Sequence, residues 1–192
     1  VTSFNYMISV VIGLILPLIY IFGKDYLNDR VVTKEDVEKI TNLPIVGHII
    51  HTDNPSKKVI IENPKSSLSE SFRSIRTALR YFTKESDHSV IAITSTITSE
   101  GKTFISINLA AITALLGKKV LLVGLDLRRP RLHRVLGIDN SEGLSTYLIG
   151  NWEYDEVIKE TTEKNLYYAT SGPVPPNPAE LIEDERMDTF IG

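Results

Sequence analysis

From Val1 to Gly23 the chain carries no charged residue, and no other feature limits its folding as much. A helix of that length spans roughly 35 Å, against about 30 Å of bilayer hydrocarbon. The centre of the run, Met7 to Phe22, reads MISVVIGLILPLIYIF, and its Pro17 is tolerated in a membrane helix as a kink. A signal peptide fits less well, because no cationic segment precedes the run and no small-x-small cleavage site follows it. Residues 1–23 are therefore expected to form one transmembrane helix. Lys24, Arg30, Lys34 and Lys39 follow closely, and Lys and Arg beside a span favour the cytoplasmic side for what comes next.

Over its whole length the chain has the composition of a folded protein. Of 192 residues, 42% are hydrophobic and 23% charged, which excludes wholesale disorder. With 21 Lys+Arg against 24 Asp+Glu and a net charge of -3, a strongly basic nucleic-acid binder is disfavoured. The absence of cysteine rules out a disulfide scaffold, a thiol nucleophile and a cysteine-liganded zinc site.

Residues 24–64 read as a juxtamembrane linker. Thr33 followed by Glu35 and Asp36 predicts a helix start, with acids beside unpaired backbone donors. That helix ends before Leu43-Pro44, since a residue before proline is pushed out of helical geometry. Pro44 to Ile50 predicts a short apolar strand, and HTDNPSKK a loop. From Ser66 to Lys84 the spacing of Leu68, Phe72, Ile75, Leu79 and Phe82 predicts an amphipathic helix. Glu70, Arg73 and Arg76 repeat along one flank of it. Spacing alone leaves two readings for that flank, a solvated face with one ion pair or an interface.

A phosphate site is the main chemical signal. Ser89 to Thr94 predicts a strand, STITSEGKT from Ser95 to Thr103 a polar turn, and Ile105 to Gly117 a helix closed by Gly117. Strand, loop, Gly101-Lys102-Thr103 and helix form the context in which a P-loop motif has physical meaning. Backbone N–H groups there would surround phosphate oxygens, Lys102 would bridge β- and γ-phosphates, and the Thr103 hydroxyl would reach Mg²⁺. Thr96 stands where the usual first glycine of that motif falls. Val120 to Leu125 predicts a parallel strand covered on both faces, joined to the first strand by a right-handed crossover. Asp126 lies near its carboxyl end, where open α/β sheets bind ligands; it could orient Mg²⁺ and its water or simply cap a turn. Arg128, Arg129, Arg131 and Arg134 could pair with phosphates, with acids of another protomer or with anionic lipid. Further on, Gly143 to Gly150 predicts a short helix, Trp152 to Ile158 an amphipathic turn, and Asn165 onward a strand with Tyr167 or Tyr168 in the core. The proline-rich stretch from Gly172 predicts a rigid loop leading into a helix at Ala179.

Taken together, TKEDVEKITNLPIVG, ESFRSIRTAL, TSTITSEGKTFISINLA, KKVLLVGLDLRRPRLH, EGLSTYLIG and SGPVPPNPAEL resemble the bacterial tyrosine autokinases fused to polysaccharide co-polymerases. The resemblance covers nearly the whole chain. It implies an α/β fold, a P-loop NTPase-like parallel sheet flanked by helices and akin to ParA and MinD, preceded by one transmembrane helix. Residues 65–192 would be the kinase domain, ending before the Walker B strand and the tyrosine-rich tail. Thr98, Ser99, Glu100, Gly101, Lys102, Thr103 and Phe104 would bind ATP, with Thr103 and Asp126 toward Mg²⁺ and Lys102, Asp126 and Arg128 in catalysis. Glu70, Arg73 and Arg76 match an element implied in ring-like oligomerisation. Three features depart from the family pattern: Thr98-Ser99 replaces a usual Pro-Gly, Gly124 replaces the first aspartate of the second Walker motif, and the Walker B strand and tyrosine-rich tail are not in this sequence. The implied activity is ATP-dependent tyrosine autophosphorylation that regulates capsular or exopolysaccharide chain length and export. The implied partners are other protomers with their tyrosine tails, the polymerase and export machinery and the bacterial inner membrane, but no nucleic acid, with the kinase domain in the cytoplasm. The alternatives are a MinD/ParA-like ATPase switch and a non-catalytic co-polymerase subunit.

Overall fold

The uncharged run forms α1 (Thr2–Tyr26), a continuous helix through Pro17. Its Thr2–Lys24 portion has the length and apolar composition to cross a membrane, and none of its apolar window is buried within the protein. The computed structural model describes residues 2–26, 31, 33–52, 58–83, 88–97 and 99–192. These fall into two units, 1–45 and 46–192. The first also contains α2 (Lys34–Ile40). As expected, Thr33 starts it: its hydroxyl accepts the Asp36 N–H at 3.3 Å, while the Asp36 carboxylate accepts the Thr33 N–H at 3.0 Å. This reciprocal cap satisfies two donors that a helix start otherwise leaves open.

The second unit begins within the expected linker. Val59 and Ile60, in the short α3 (Val59–Glu62), are buried, so part of 24–64 belongs to the core rather than to a tether. Ser66 caps α4 (Ser67–Leu79) by accepting the Ser69 N–H at 3.1 Å. Leu68 and Phe72 are buried, and Ile75 and Leu79 pack against the same cluster. The helix is shorter than its periodicity predicted: Phe82 lies beyond it and is 56% exposed. The Phe72 ring meets Phe104 at 5.8 Å between centroids, joining α4 to α5 (Lys102–Ala114). Burying one such ring contributes about 1.5–3 kcal/mol.

The described sheet has the order β1-β3-β2. β1 (Val120–Val123) runs parallel to β3 (Leu166–Ala169), and β2 (Lys159–Glu160) is antiparallel to β3. Alternation along β1 sends Val120 and Leu122 toward the cluster containing α3, α4 and α5. Leu121 and Val123 face the opposite cluster. Before β3 come α6 (Leu132–Leu136), α7 (Leu144–Leu148) and α8 (Tyr154–Val157); α9 (Pro178–Ile182) and α10 (Glu185–Ile191) follow it. The second cluster includes Leu144, Tyr147, Leu148, Val157, Met187 and Phe190. The result is an α/β layer with helices on both faces of a parallel pair, as the pattern implied.

Four expectations are corrected. Residues 44–50 and 89–94 are not strands, because a β-branched run becomes a strand only when a neighbour supplies its ladder. Among the described residues neither segment pairs with one, and Val90 and Ile91 are 72% and 47% exposed. The crossover into β1 therefore starts from a segment with no described ladder partner rather than from a paired strand. β1 stops at Val123, because its register partner β3 stops at Ala169 and one further bond, Gly124 N–H to the Ala169 carbonyl at 2.8 Å, closes the pairing. Finally, both Tyr167 and Tyr168 are half-buried, and Leu166 and Ala169 supply the buried contacts of β3.

The α4 flank is bonded within the protomer. Arg73 pairs with Glu70 and donates to the Pro64 carbonyl at 2.7 Å. Arg76 donates to the Ile112 carbonyl at 3.1 Å, covering one of the acceptors that the end of α5 leaves unpaired. Burial of the guanidinium, then the nearby Arg73 and Arg80, lowers the Arg76 pKa. Replacing Arg76 with Ala should cost about 1.5–3 kcal/mol, read as a lower midpoint in thermal denaturation. An unchanged midpoint would show that the Ile112 bond contributes nothing to stability.

Candidate functional site

The loop before α5 is shaped by its backbone. Ser99 and Gly101 adopt φ values of 71° and 95°, in the left-handed region where glycine is favoured. Gly101 directly precedes the first helical residue, Lys102, and no side chain caps α5. The first-turn N–H groups therefore point out of the helix end, where a helix attracts anions. Ile105 makes the first helical bond, to the Gly101 carbonyl at 2.9 Å.

Lys102 folds back over the loop. Its ammonium donates to the Ser95 hydroxyl at 2.8 Å and to the Ile97 carbonyl at 3.4 Å. Glu100 accepts the Ile97 N–H at 3.2 Å from the same turn. Ser95 and Ile97 are thus part of the site, although sequence reasoning treated them only as turn residues. Thr103 is half-buried in the first turn of α5. Phe104 is placed differently from a ligand-binding side chain, since its ring packs on Phe72 and only its backbone belongs to the loop. Thr98 lies outside the described residues.

The second element follows β1. Asp126 is exposed, and its Oδ1 accepts the Arg129 N–H at 2.9 Å, so it caps the turn that also carries Arg128. One contact joins the two elements: Arg131 Nη1 donates to Ser99 Oγ at 3.4 Å. Gly124 packs tightly, because a Cβ added there would meet Ser171 Oγ at 2.8 Å and the Ser171 nitrogen at 3.0 Å. Behind it, the Leu144 and Ser145 N–H groups donate to the Thr170 and Ser171 carbonyls at 2.8 and 3.0 Å. Asn140 brackets Gly172 through two further bonds, of 2.6 and 3.1 Å. The loop after β3 is therefore held rigidly beside the end of β1.

The groove lined by Ile60, Ala111, Ala114, Leu115 and Lys164 lies at the other end of α5 from the loop. Among the described residues no group of three or more His, Cys, Asp or Glu could hold a metal ion.

Comparison with known proteins fits this geometry. Residues 91–151 match the CobQ/CobB/MinD/ParA nucleotide binding domain. The chain is 38% identical over 129 residues to tyrosine-protein kinase YwqD of Bacillus subtilis, covering 67% of this chain and 54% of that protein. It superimposes on the crystal structure of the chimerical protein CapA2B2 with a TM-score of 0.75 and 38% identity, covering 82% of this chain and 68% of the other. The kinase domain of Escherichia coli tyrosine kinase ETK gives a TM-score of 0.75 at 31% identity, covering 83% of this chain and 66% of the other. The chain thus spans little more than half of the Bacillus kinase.

Gly101 is the backbone element on which the loop turns. Gly101→Ala should destabilise the loop by about 1–2 kcal/mol, because a Cβ disfavours the left-handed region. Limited proteolysis should then cut residues 95–101 faster than in the parent protein. Equal cleavage rates would show that the turn tolerates a side chain.

Proposed function

The chain belongs to the bacterial tyrosine autokinase family, and from that premise we propose that it contributes to ATP-dependent phosphoryl transfer onto tyrosine. The single observation that carries the reading is Lys102, held at the mouth of a left-handed loop beside the open N-terminus of α5. An ammonium and several backbone donors directed to one place suit a polyphosphate. Loop amides from Ser99 to Phe104 would hold ATP, and Lys102 would balance the charge that develops on the transferred group. Thr103 and Asp126 fit Mg²⁺ by donor type, and the ion when bound would neutralise phosphate charge. Arg128, beside Asp126 on an exposed turn, would stabilise the same charge. The acceptor would be a tyrosine on the tail of a neighbouring protomer in a homo-oligomer. The Glu70, Arg73 and Arg76 flank is proposed to contribute to protomer contact through its exposed Glu70 edge, in addition to the internal bonds of both arginines. The wider role would be control of capsular or exopolysaccharide chain length with the polymerase and export machinery. Through α1 the protein would be anchored in the bacterial inner membrane with the kinase domain in the cytoplasm.

Gly124 favours one competing reading. It provides no carboxylate at the end of β1, and the chain's acid in this region, Asp126, is engaged in capping a turn. A co-polymerase subunit that binds nucleotide without transferring phosphate would carry such a site.

Two readouts on the full-length protein separate these readings. Lys102→Ala removes a charged contact worth about 1.5–3 kcal/mol, so labelled ATP should bind roughly 10–100-fold more weakly. Phosphotyrosine formed by the parent protein and lost in this variant would support the kinase. Lysine-dependent binding with no phosphotyrosine in the parent would support the non-catalytic subunit, and binding unchanged by Lys102→Ala would overturn both.

A further inference from the structure

Two strips of exposed charge in the second unit form no ion pair among the described residues. The first is Arg129, Arg131 and Arg134, all exposed, on the turn after β1 and on α6. None forms an ion pair with a described carboxylate. The side-chain bond recorded for them is the weak Arg131 contact to Ser99. The second strip is Glu183, Asp184, Glu185 and Asp188, exposed at the α9–α10 junction. The arginine within it is turned away: Arg186 donates to the Tyr147 carbonyl at 2.7 Å and lies over the Tyr147 ring at 5.3 Å. Each strip also has an exposed apolar companion, Leu125 at 44% beside the arginines and Ile191 at 49% beside the acids.

We infer that the arginine strip of one protomer docks against the carboxylate strip of a second copy of this chain. The two strips are opposite in charge, and guanidinium groups pair with carboxylates through two parallel bonds. A lipid surface is a poorer occupant, because the chain carries a net charge of -3 and the acidic strip would be repelled by anionic headgroups. Contact between two different surfaces is head-to-tail, so it closes into a ring or extends into a chain of protomers. Because Arg131 touches Ser99, the docked carboxylates would lie beside the phosphate-binding loop of the neighbour. This deepens the homo-oligomer in the proposed function by naming a pair of surfaces distinct from the α4 flank, whose arginines are bonded internally.

The test is sedimentation of the full-length protein in neutral detergent over a range of protein and salt concentrations. The parent should associate at low salt and dissociate as ionic strength rises. Arg129→Glu with Arg134→Glu should weaken association at least roughly tenfold, because like charges then face each other. Glu183→Lys with Glu185→Lys should do the same. Combining all four substitutions should restore association, which also shows that the reversed chains fold. A parent that stays monomeric at low salt, a reversed pair that sediments like the parent, or a combination that stays monomeric would each overturn the proposal. Unchanged assembly, with loss of flotation on phosphatidylserine vesicles after arginine reversal, would also overturn it and assign the strip to lipid. ATP binding is measured separately, so a protein that assembles as expected but binds no nucleotide would fail the kinase reading alone.

Discussion

The parallel pairing of β1 with β3 is the interaction on which the second unit depends. Four residues on each strand separate two helical layers, and each strand contributes to both. Leu166 closes the cluster beneath α3, α4 and α5, and Ala169 closes the one beneath α7, α8 and α10. Parallel strands end together at one edge, so this pairing also brings the Gly124–Arg129 turn next to the Thr170–Gly172 loop. Ligand chemistry in open α/β sheets collects at such an edge because loops from several strands converge there.

Charge is used in two ways in this unit. On α4 the arginines bond to backbone acceptors of their own chain, the Pro64 and Ile112 carbonyls. On the turn after β1 and at the α9–α10 junction the charges remain on the surface. The first arrangement stabilises a protomer, since Arg76 bonded to the Ile112 carbonyl ties α4 to α5. The second costs the isolated chain little while solvent screens it, and it becomes valuable when an opposite charge arrives.

The helical parts of the fold were readable one element at a time. The uncharged run became α1, Thr33 with Asp36 became a capping box, and the Leu68, Phe72, Ile75 stripe became the inner face of α4. The sequence placed a helix after the Gly101-Lys102-Thr103 turn, over Ile105 to Gly117, and α5 begins three residues earlier and ends at Ala114. Residues 44–50 and 89–94 misled as strands. Their β propensity is local, but a ladder needs a partner from elsewhere in the chain. The burial of Val59 and Ile60 was equally hidden: the buried Asn108 side chain, whose Oδ1 accepts the Ile60 N–H at 3.0 Å, lies 48 residues away.

The site divides in the same way. By itself the sequence determined that a glycine precedes a lysine at a helix start, that an acid follows an apolar strand, and that an uncharged helix of membrane length leads the chain. Bond lengths, helix periods and charge are properties of neighbouring residues, so no fold is needed to read them. Only the tertiary structure decided that Lys102 rests on Ser95, that Asp126 closes its own turn, that Ser171 crowds Gly124, and that Arg76 caps α5. Each of these depends on where a side chain of some length or a second segment arrives. That is decided by packing across the β1–β3 pair and its two helical layers, which no local pattern encodes.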